Sequence, residues 1–430
     1  MENRLENFLA STVCDERFSD YYGPSDVPAA KERYRRIADE YQALFSSRDI
    51  HYFSVPGRTE IGGNHTDHNL GRVLAGSVTL DAVAAASPSG TDKVTLFSKG
   101  YEKAFEVTIS RLEKVKTEAG TTEALIRGVA AGFQQRGFRQ GGFNAYIDSR
   151  VLPGSGLSSS AVIEITLGNI INGLFNSGSA SPLEIASIGQ YAENQYMGKP
   201  SGLMDQVACS CGGIVTIDFA DPADPKVEQV AFDLAGHDYS LLVVDTRGHH
   251  ADLIPEYASI PEEMGAVSRF FGKEQLREVS AAAFYSSLAD IRRTCGDRAV
   301  LRAHHFIREN QRVADQVEAL KDDDFSSFLS MVNASGSSSW KYLQNISSGG
   351  SSREQEVALA LALTEDFISR TGEGACRVHG GGFAGTILVF LPGEAVSVYI
   401  KEMEHLFGEG AVTPLGFRSR GGEMIPLLSG

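Results

Sequence analysis

A chain of 430 residues exceeds what one compact core usually holds, so two domains are expected. Its 42% apolar content and mean hydropathy of −0.14 are those of a soluble globular protein and exclude disorder over most of its length. A formal charge of −16 argues against a generic nucleic-acid surface, so any anionic ligand must be held locally by backbone N–H groups, a few cations or Mg²⁺.

The opening stretch MENRLENFLASTVCDERF is polar and broken by charges, which predicts no secretory signal. No segment approaches the ~20 apolar residues that span a bilayer. Five cysteines, from Cys14 to Cys376, do not form a disulfide framework, and the cytoplasm is the expected compartment. Cys209 and Cys211, read as sharing one face of a strand, are expected to be buried free thiols rather than metal ligands.

Along the chain, Tyr34, Ile37, Ala38, Tyr41, Leu44 and Phe45 recur at steps of three and four and predict a helix over 28–45, with Asp26 as its cap and Pro28 in its first turn. A short strand from His51 to Val55 follows, ending at Pro56-Gly57. Val73–Ala86, Val94–Phe97 and Phe105–Ile109 read as strands of one sheet, and 121–136 and 160–176 as helices. Strands are expected at 214–217 and 239–244, then helices over about 259–270, 274–287, 296–320 and 353–370. The serine- and glycine-rich stretch 335–352 reads as a loop or frayed helix end, although Trp340, Tyr342 and Leu343 give it something to bury. Last come a turn over 377–382, a strand over 386–390 and a helix over 394–406. This irregular mixture indicates an α+β fold.

Four motifs carry chemistry. PGRTEIGGNHTDHNLGRVLAGSV, Pro56 to Val78, crowds glycines, a cation, a carboxylate, amides and imidazoles into one turn-rich stretch. Metal binding by His65, Asp67 and His68 is its bland alternative. LPGSGLSSSAVIEI, Leu152 to Ile165, places two glycines before a helix that begins near Ser158, a combination that binds phosphate; it is neither a Walker A loop nor a hydrolase elbow. YAENQYMGKPSGLMDQVACSCGG, Tyr191 to Gly213, brings Glu193, on a helix, near Asp205, on a turn; phosphoryl transfer uses one carboxylate to hold Mg²⁺ and another to accept a proton. RVHGGGFAG, Arg377 to Gly385, holds three consecutive glycines close to another segment or a ligand.

In order and content the four motifs resemble the galactokinase branch of the GHMP kinases, from about Val55 to Pro392. The resemblance implies a two-domain α+β fold, with an N-terminal mixed sheet with helices (about 1–225), a C-terminal ferredoxin-like α/β sandwich (about 226–430, with a return of its last residues to the first domain left open) and the active site between them. It implies ATP as co-substrate, Mg²⁺ as cofactor, and phosphorylation of the anomeric hydroxyl of galactose. Pro153, Gly154, Ser155, Gly156, Leu157, Ser158, Ser159, Ser160 and Ala161 correspond to the ATP-binding loop, and Ser160 and Glu193 to the metal ligands. Asp205 corresponds to the catalytic base and Arg58 to the arginine paired with it. Asn64, His65, Asp67, Gly202, Asp205 and Tyr257 correspond to positions that meet the sugar. A monomer or weak homo-oligomer is expected, with no nucleic-acid or membrane partner.

The chain departs from the family pattern at Asn64, where galactokinases carry a glutamate that contacts the sugar O6, and at Glu60, where they carry asparagine. His68 and His379 replace a tyrosine and a threonine, and the lead of about 55 residues before the first motif is long. A kinase for arabinose or N-acetylgalactosamine, and a non-catalytic sugar sensor on the same fold, are the competing readings.

Overall fold

The computed structural model describes residues 4–47, 49–151, 154, 156–199, 201–222, 224–248, 253–348 and 353–427. The chain opens with three helices, α1 (Arg4–Leu9), α2 (Thr12–Tyr22) and α3 (Val27–Leu44). Tyr34, Ile37, Ala38 and Tyr41 of α3 are all buried, as the periodicity predicts, but Leu44 is exposed. Pro28 lies in the first turn and Asp26 at the N-cap position, although the Asp26 side chain makes no capping bond.

Next come β1 (His51–Gly62), β2 (Arg72–Pro88), β3 (Lys93–Ser98), β4 (Phe105–Thr108), α4 (Thr122–Gln135), β5 (Phe143–Ser149), α5 (Ser159–Asn176), α6 (Pro182–Ala192), α7 (Met204–Cys211), β6 (Ile214–Asp218) and β7 (Lys226–Val230). With β12 (Glu423–Met424), the strands form an eight-stranded mixed sheet in the order β12-β1-β2-β5-β3-β4, with β6 on β2, β7 on β6, and β3 parallel to β5. Strand β12 reaches it from the chain's far end. Residues 82–86 show why the long lead exists: Ala82, Ala84 and Ala86 face the central core, while Val83 and Ala85 face the N-terminal helices, so this sheet is covered on both sides.

The other sheet contains β8 (Tyr239–Asp245), β9 (Ala375–His379), β10 (Thr386–Pro392) and β11 (Val412–Leu415) in the antiparallel order β11-β8-β10-β9. Numbered within itself this is 4-1-3-2, the ferredoxin-like arrangement. Helices α8 (Ile254–Phe270), α9 (Ala281–Ser286), α10 (Leu288–Cys295), α11 (Asp297–Lys321), α12 (Phe325–Ser338) and α13 (Glu356–Thr371) lie between β8 and β9; α14 (Gly393–Phe407) joins β10 to β11. No helix among the described residues is long and apolar enough to cross a membrane.

Several local expectations are corrected. Strand β1 continues past Pro56-Gly57 to Gly62, because register shifts at Pro56/Arg58 and Glu60/Gly62 absorb the proline. The helix expected over 274–287 breaks where the Ser280 hydroxyl caps a new one. The serine-rich stretch, expected as loop, is helical through Leu343. Phe325, Phe328, Leu329 and Val332 bury one face of α12, and Gly336 lets it lie against β9, since a Cβ there would sit 2.8 Å from the Cys376 carbonyl oxygen. Arg377 belongs to strand β9 rather than a turn, and Asp205 to the first turn of α7. Cys209 and Cys211 share that helix, not a strand; Cys211 is only partly buried, and all five thiols are free.

Asp81 joins the lead to the rest. Its buried carboxylate accepts from Arg33 Nη1 (2.5 Å), Tyr22 Oη (2.7 Å), Ser54 Oγ (2.5 Å) and Arg418 Nη1 (3.3 Å), drawing together α2, α3, β1 and the C-terminal return. Burial pushes this carboxyl up, but Arg33 and Arg418 outweigh it and leave its pKa below the ordinary 3.8. The stabilisation is therefore present above pH ~4 and lost as pH falls through the depressed value. Asp81→Asn should cost about 3 kcal/mol by stranding the buried arginines. Urea melts at pH 7 and pH 3 should show the gap between the two proteins shrinking in acid.

Candidate active site

Strand β1 delivers Arg58 to the start of α5. A Cβ at Gly57 would lie 3.0 Å from Val151 Cγ2 and 3.1 Å from the Leu157 carbonyl oxygen, so glycine lets the two segments meet. The Arg58 N–H donates to the Leu157 carbonyl (3.3 Å) and its Nη1 to that of Gly156 (2.6 Å). Its Nε and Nη2 reach Asp205 Oδ1 and Oδ2 at 2.7 and 3.0 Å, a bidentate pair. Ser158 Oγ donates to the same carboxylate. Burial raises the Asp205 pKa, but Arg58 first and then Ser158 more than offset this, so the group is held below 3.8 and ionised at neutral pH.

Gly154, Gly156 and Ser158 all have positive φ (80°, 73° and 62°), which turns the loop sharply into α5. Ser158 at the N-cap makes no side-chain capping bond among the described residues, and the start of α5 presents N–H groups and the positive end of its dipole, which suit an anion. Leu157 and Ala161 are buried beneath the loop, and Ser159 and Ser160 form the first helical positions. Pro153 and Ser155 lie outside the described residues.

Ser160 Oγ donates to Glu193 Oε1 at 3.1 Å. Glu193 begins a π-helical turn, Glu193–Met197, that continues α6. It is buried, and its carboxylate also meets Lys199 Nζ (2.8 Å) and Gln206 Nε2 (3.0 Å). Beside it, Glu164 accepts from Gln206 Nε2 at 2.9 Å; burial, and then the Glu193 charge, push its carboxyl well above the ordinary range. Hydroxyl plus carboxylate is a hard-oxygen donor set that fits Mg²⁺, an ion usually held by one or two protein ligands together with substrate phosphates.

The sugar-loop candidates divide. Asp67 faces Gly202 so closely that a Cβ on Gly202 would fall 2.1 Å from Asp67 Oδ2. Oδ1 of Asp67 accepts the His68 N–H at 2.9 Å. His65, at φ 56°, donates from Nε2 to the Gly381 carbonyl (2.9 Å), and burial holds its imidazole neutral. Tyr257, on α8, donates to the Gly382 carbonyl at 3.0 Å. Asn64 is not presented to a ligand at all. It is 1% exposed; Nδ2 donates to Glu60 (2.9 Å) and the Gly380 carbonyl (2.7 Å), and Oδ1 accepts from Asn345 (2.8 Å) and Ser339 (3.3 Å), so both ends of its amide are occupied.

The glycine turn is thus a dock: the carbonyls of Gly380, Gly381 and Gly382 are each taken by a side chain. Arg377 fixes the approach from below, donating to Glu60 Oε1 (2.8 Å) and the Ile61 carbonyl (2.7 Å). His379 Nε2 accepts the Glu60 N–H (3.3 Å), which puts the ring proton on Nδ1, facing Thr386 Oγ1 at 3.0 Å. Sequence reasoning missed Lys199, Gln206 and Glu164, although all three lie inside quoted motifs; the signal was an acid, Glu164, at an apolar helix position. Asn345, in a serine-rich stretch, offered no signal.

These elements assemble an ionised carboxylate, a paired arginine, a helix N-terminus and a hydroxyl–carboxylate set around the start of α5, the groups that phosphoryl transfer to a hydroxyl employs. The galactokinase galactose-binding signature matches residues 39–88, and the GHMP kinases N terminal domain matches 124–213. A galactokinase of Actinobacillus pleuropneumoniae is 30% identical over 386 residues, 89% of this chain and 90% of that protein. One from Streptomyces coelicolor is 29% identical over 374 residues, 86% and 92%. The crystal structure of Lactococcus lactis galactokinase complexed with galactose superposes with a TM-score of 0.75 at 23% identity over 90% of this chain and 99% of that one. Mevalonate kinase from Methanococcus jannaschii gives 0.60 at 16% identity over 86% and 99%. With motifs, fold and full-length relatives in agreement, the chain belongs to the galactokinase family of the GHMP kinases.

Proposed function

We propose that this protein transfers the γ-phosphoryl group of ATP to the anomeric hydroxyl of galactose. The observation that carries the reading is the Asp205 carboxylate, kept ionised by bidentate Arg58 at the N-terminus of α5. Asp205 accepts the proton of the attacking hydroxyl; Arg58 orients it and places positive charge near the transferring group. The N–H groups at the start of α5 and the backbone of 154–161 receive the phosphates. Ser160 and Glu193 would hold Mg²⁺, which when bound neutralises phosphate charge. Asp67 and His65, with Gly202 beneath them, border the sugar. The five free thiols fit a reducing, cytoplasmic setting.

Incubation with ATP, Mg²⁺ and a panel of free sugars should yield galactose 1-phosphate as the main product, identified by the phosphorylated carbon. Product from none of the sugars would overturn the reading. Asp205→Asn should lower kcat by about 10²–10⁴, the range for a lost general base, with galactose binding retained; near-normal turnover in a folded variant would contradict the assignment. Glu193→Gln should raise the Mg²⁺ concentration needed for half-maximal rate, and activity without any divalent ion would remove Ser160 and Glu193 from that role.

Glu60 and Asn64 exchange the amide and acid of the family pattern and bond one another, so the carboxylate that would meet the sugar O6 points to Arg377 instead. Discrimination at C6 should be weak. The kcat/KM ratio of galactose over its 6-deoxy analogue should rise in the exchanged variant Glu60→Asn/Asn64→Glu; an unchanged ratio would show that the exchange does not set selectivity.

A further inference from the structure

A cleft of about 490 Å³ lies between α11 and α12, lined by His304, Arg308 and Arg312 from one side and Ser337, Ser338 and Lys341 from the other. No residue of the candidate active site lines it, and none of its lining residues is a carboxylate. Residues 304, 308 and 312 are four apart and share one face of α11; Lys341 stands opposite, in the π-helical turn Ser339–Leu343. Arg312 pairs with Glu309, whereas Arg308 and Lys341 have no ion-pair partner among the described residues. Like charges at this spacing oppose helix formation, so stability does not explain the cluster. In a chain of net charge −16 a local basic cleft attracts anions, and its volume suits a sugar phosphate.

The cleft is one side chain away from the sugar loop. Glu309, the partner of Arg312, accepts the Gly63 N–H at 3.2 Å and the Ser335 hydroxyl. His305 bridges Ser338 Oγ and the Asn64 carbonyl, both at 2.9 Å. An anion that engages Arg312 takes the counter-charge from the buried carboxylate that anchors Gly63.

We propose that this cleft is a second ligand site for a small phosphomonoester of sugar-phosphate size, and that its occupancy weakens sugar binding through residues 63–64. The site rests on the cleft alone; the coupling rests also on the galactose reading above. The full-length protein, its active site filled by galactose and a non-hydrolysable ATP analogue, is dialysed to equilibrium against radiolabelled glucose 6-phosphate. One saturable site is expected, displaced by inorganic phosphate but not by glucose. In Arg308→Ser/Lys341→Ser it should weaken about tenfold or more, while galactose turnover without the phosphoester is unchanged. Quenching of Trp340, the one tryptophan and the neighbour of Lys341, should follow the same isotherm in the wild type. No retained label, equal affinity in the double variant, or displacement by glucose would each overturn the site. For the coupling, glucose 6-phosphate should raise the apparent KM for galactose in the wild type and not in the variant. A KM that stays fixed while dialysis shows binding overturns the coupling and leaves the site standing. Absence of any galactose turnover counts against the proposed function, not against the cleft.

Discussion

The bidentate pair between Arg58 and Asp205 is the constraint around which the candidate active site is arranged. One buried guanidinium binds the acid, the carbonyl of Gly156 and, through the Arg58 backbone, that of Leu157, so the position of the acid and the shape of the phosphate loop are set together. Its positive charge also determines the chemistry available: burial alone would favour a neutral Asp205, and the pair reverses that. A carboxylate held this way is a weak base but a rigid one, which suits a transfer that relies on positioning and electrostatic stabilisation more than on proton abstraction.

The second structural idea is that the sugar loop is held from the other sheet. Arg377 and His379 on β9 reach the end of β1, and the three glycine carbonyls after β9 receive Asn64, His65 and Tyr257. The glycines are needed because side chains there would collide: a Cβ on Gly381 would lie 2.5 Å from the Tyr257 ring and one on Gly382 2.2 Å from the Asn345 carbonyl oxygen. The paired changes at 60 and 64 belong to this interface. Moving the acid four residues upstream gives buried Arg377 a counter-ion and turns Asn64 into an internal strut.

Much of this was legible locally. Sequence patterns placed α3, α11 and α13 within a few residues, and the four motifs named Arg58 with Asp205 and Ser160 with Glu193, pairs that the fold brings into contact. What failed were readings in which composition stands for structure. Serine in α12 reads as loop, yet Ser335 and Ser338 bond Glu309 and His305 of α11, and the glycine at 336 lets the helix lie on β9. Pro56-Gly57 reads as a stop, yet a bulge carries β1 through it. Asn64 reads as a ligand residue because it sits in a ligand motif, and nothing local shows that Asn345, 281 residues later, donates to its side-chain Oδ1.

The sequence by itself determined the class of chemistry and the α+β character, since these follow from residue types at short spacing. Only the tertiary structure decided which groups remain available to a ligand. Hydrogen-bonding capacity is finite, and whether a side chain spends it inside the protein, as Asn64 and Arg377 do, or turns it to solvent without an ion-pair partner among the described residues, as Arg308 and Lys341 do, depends on partners brought together by folding from remote parts of the chain.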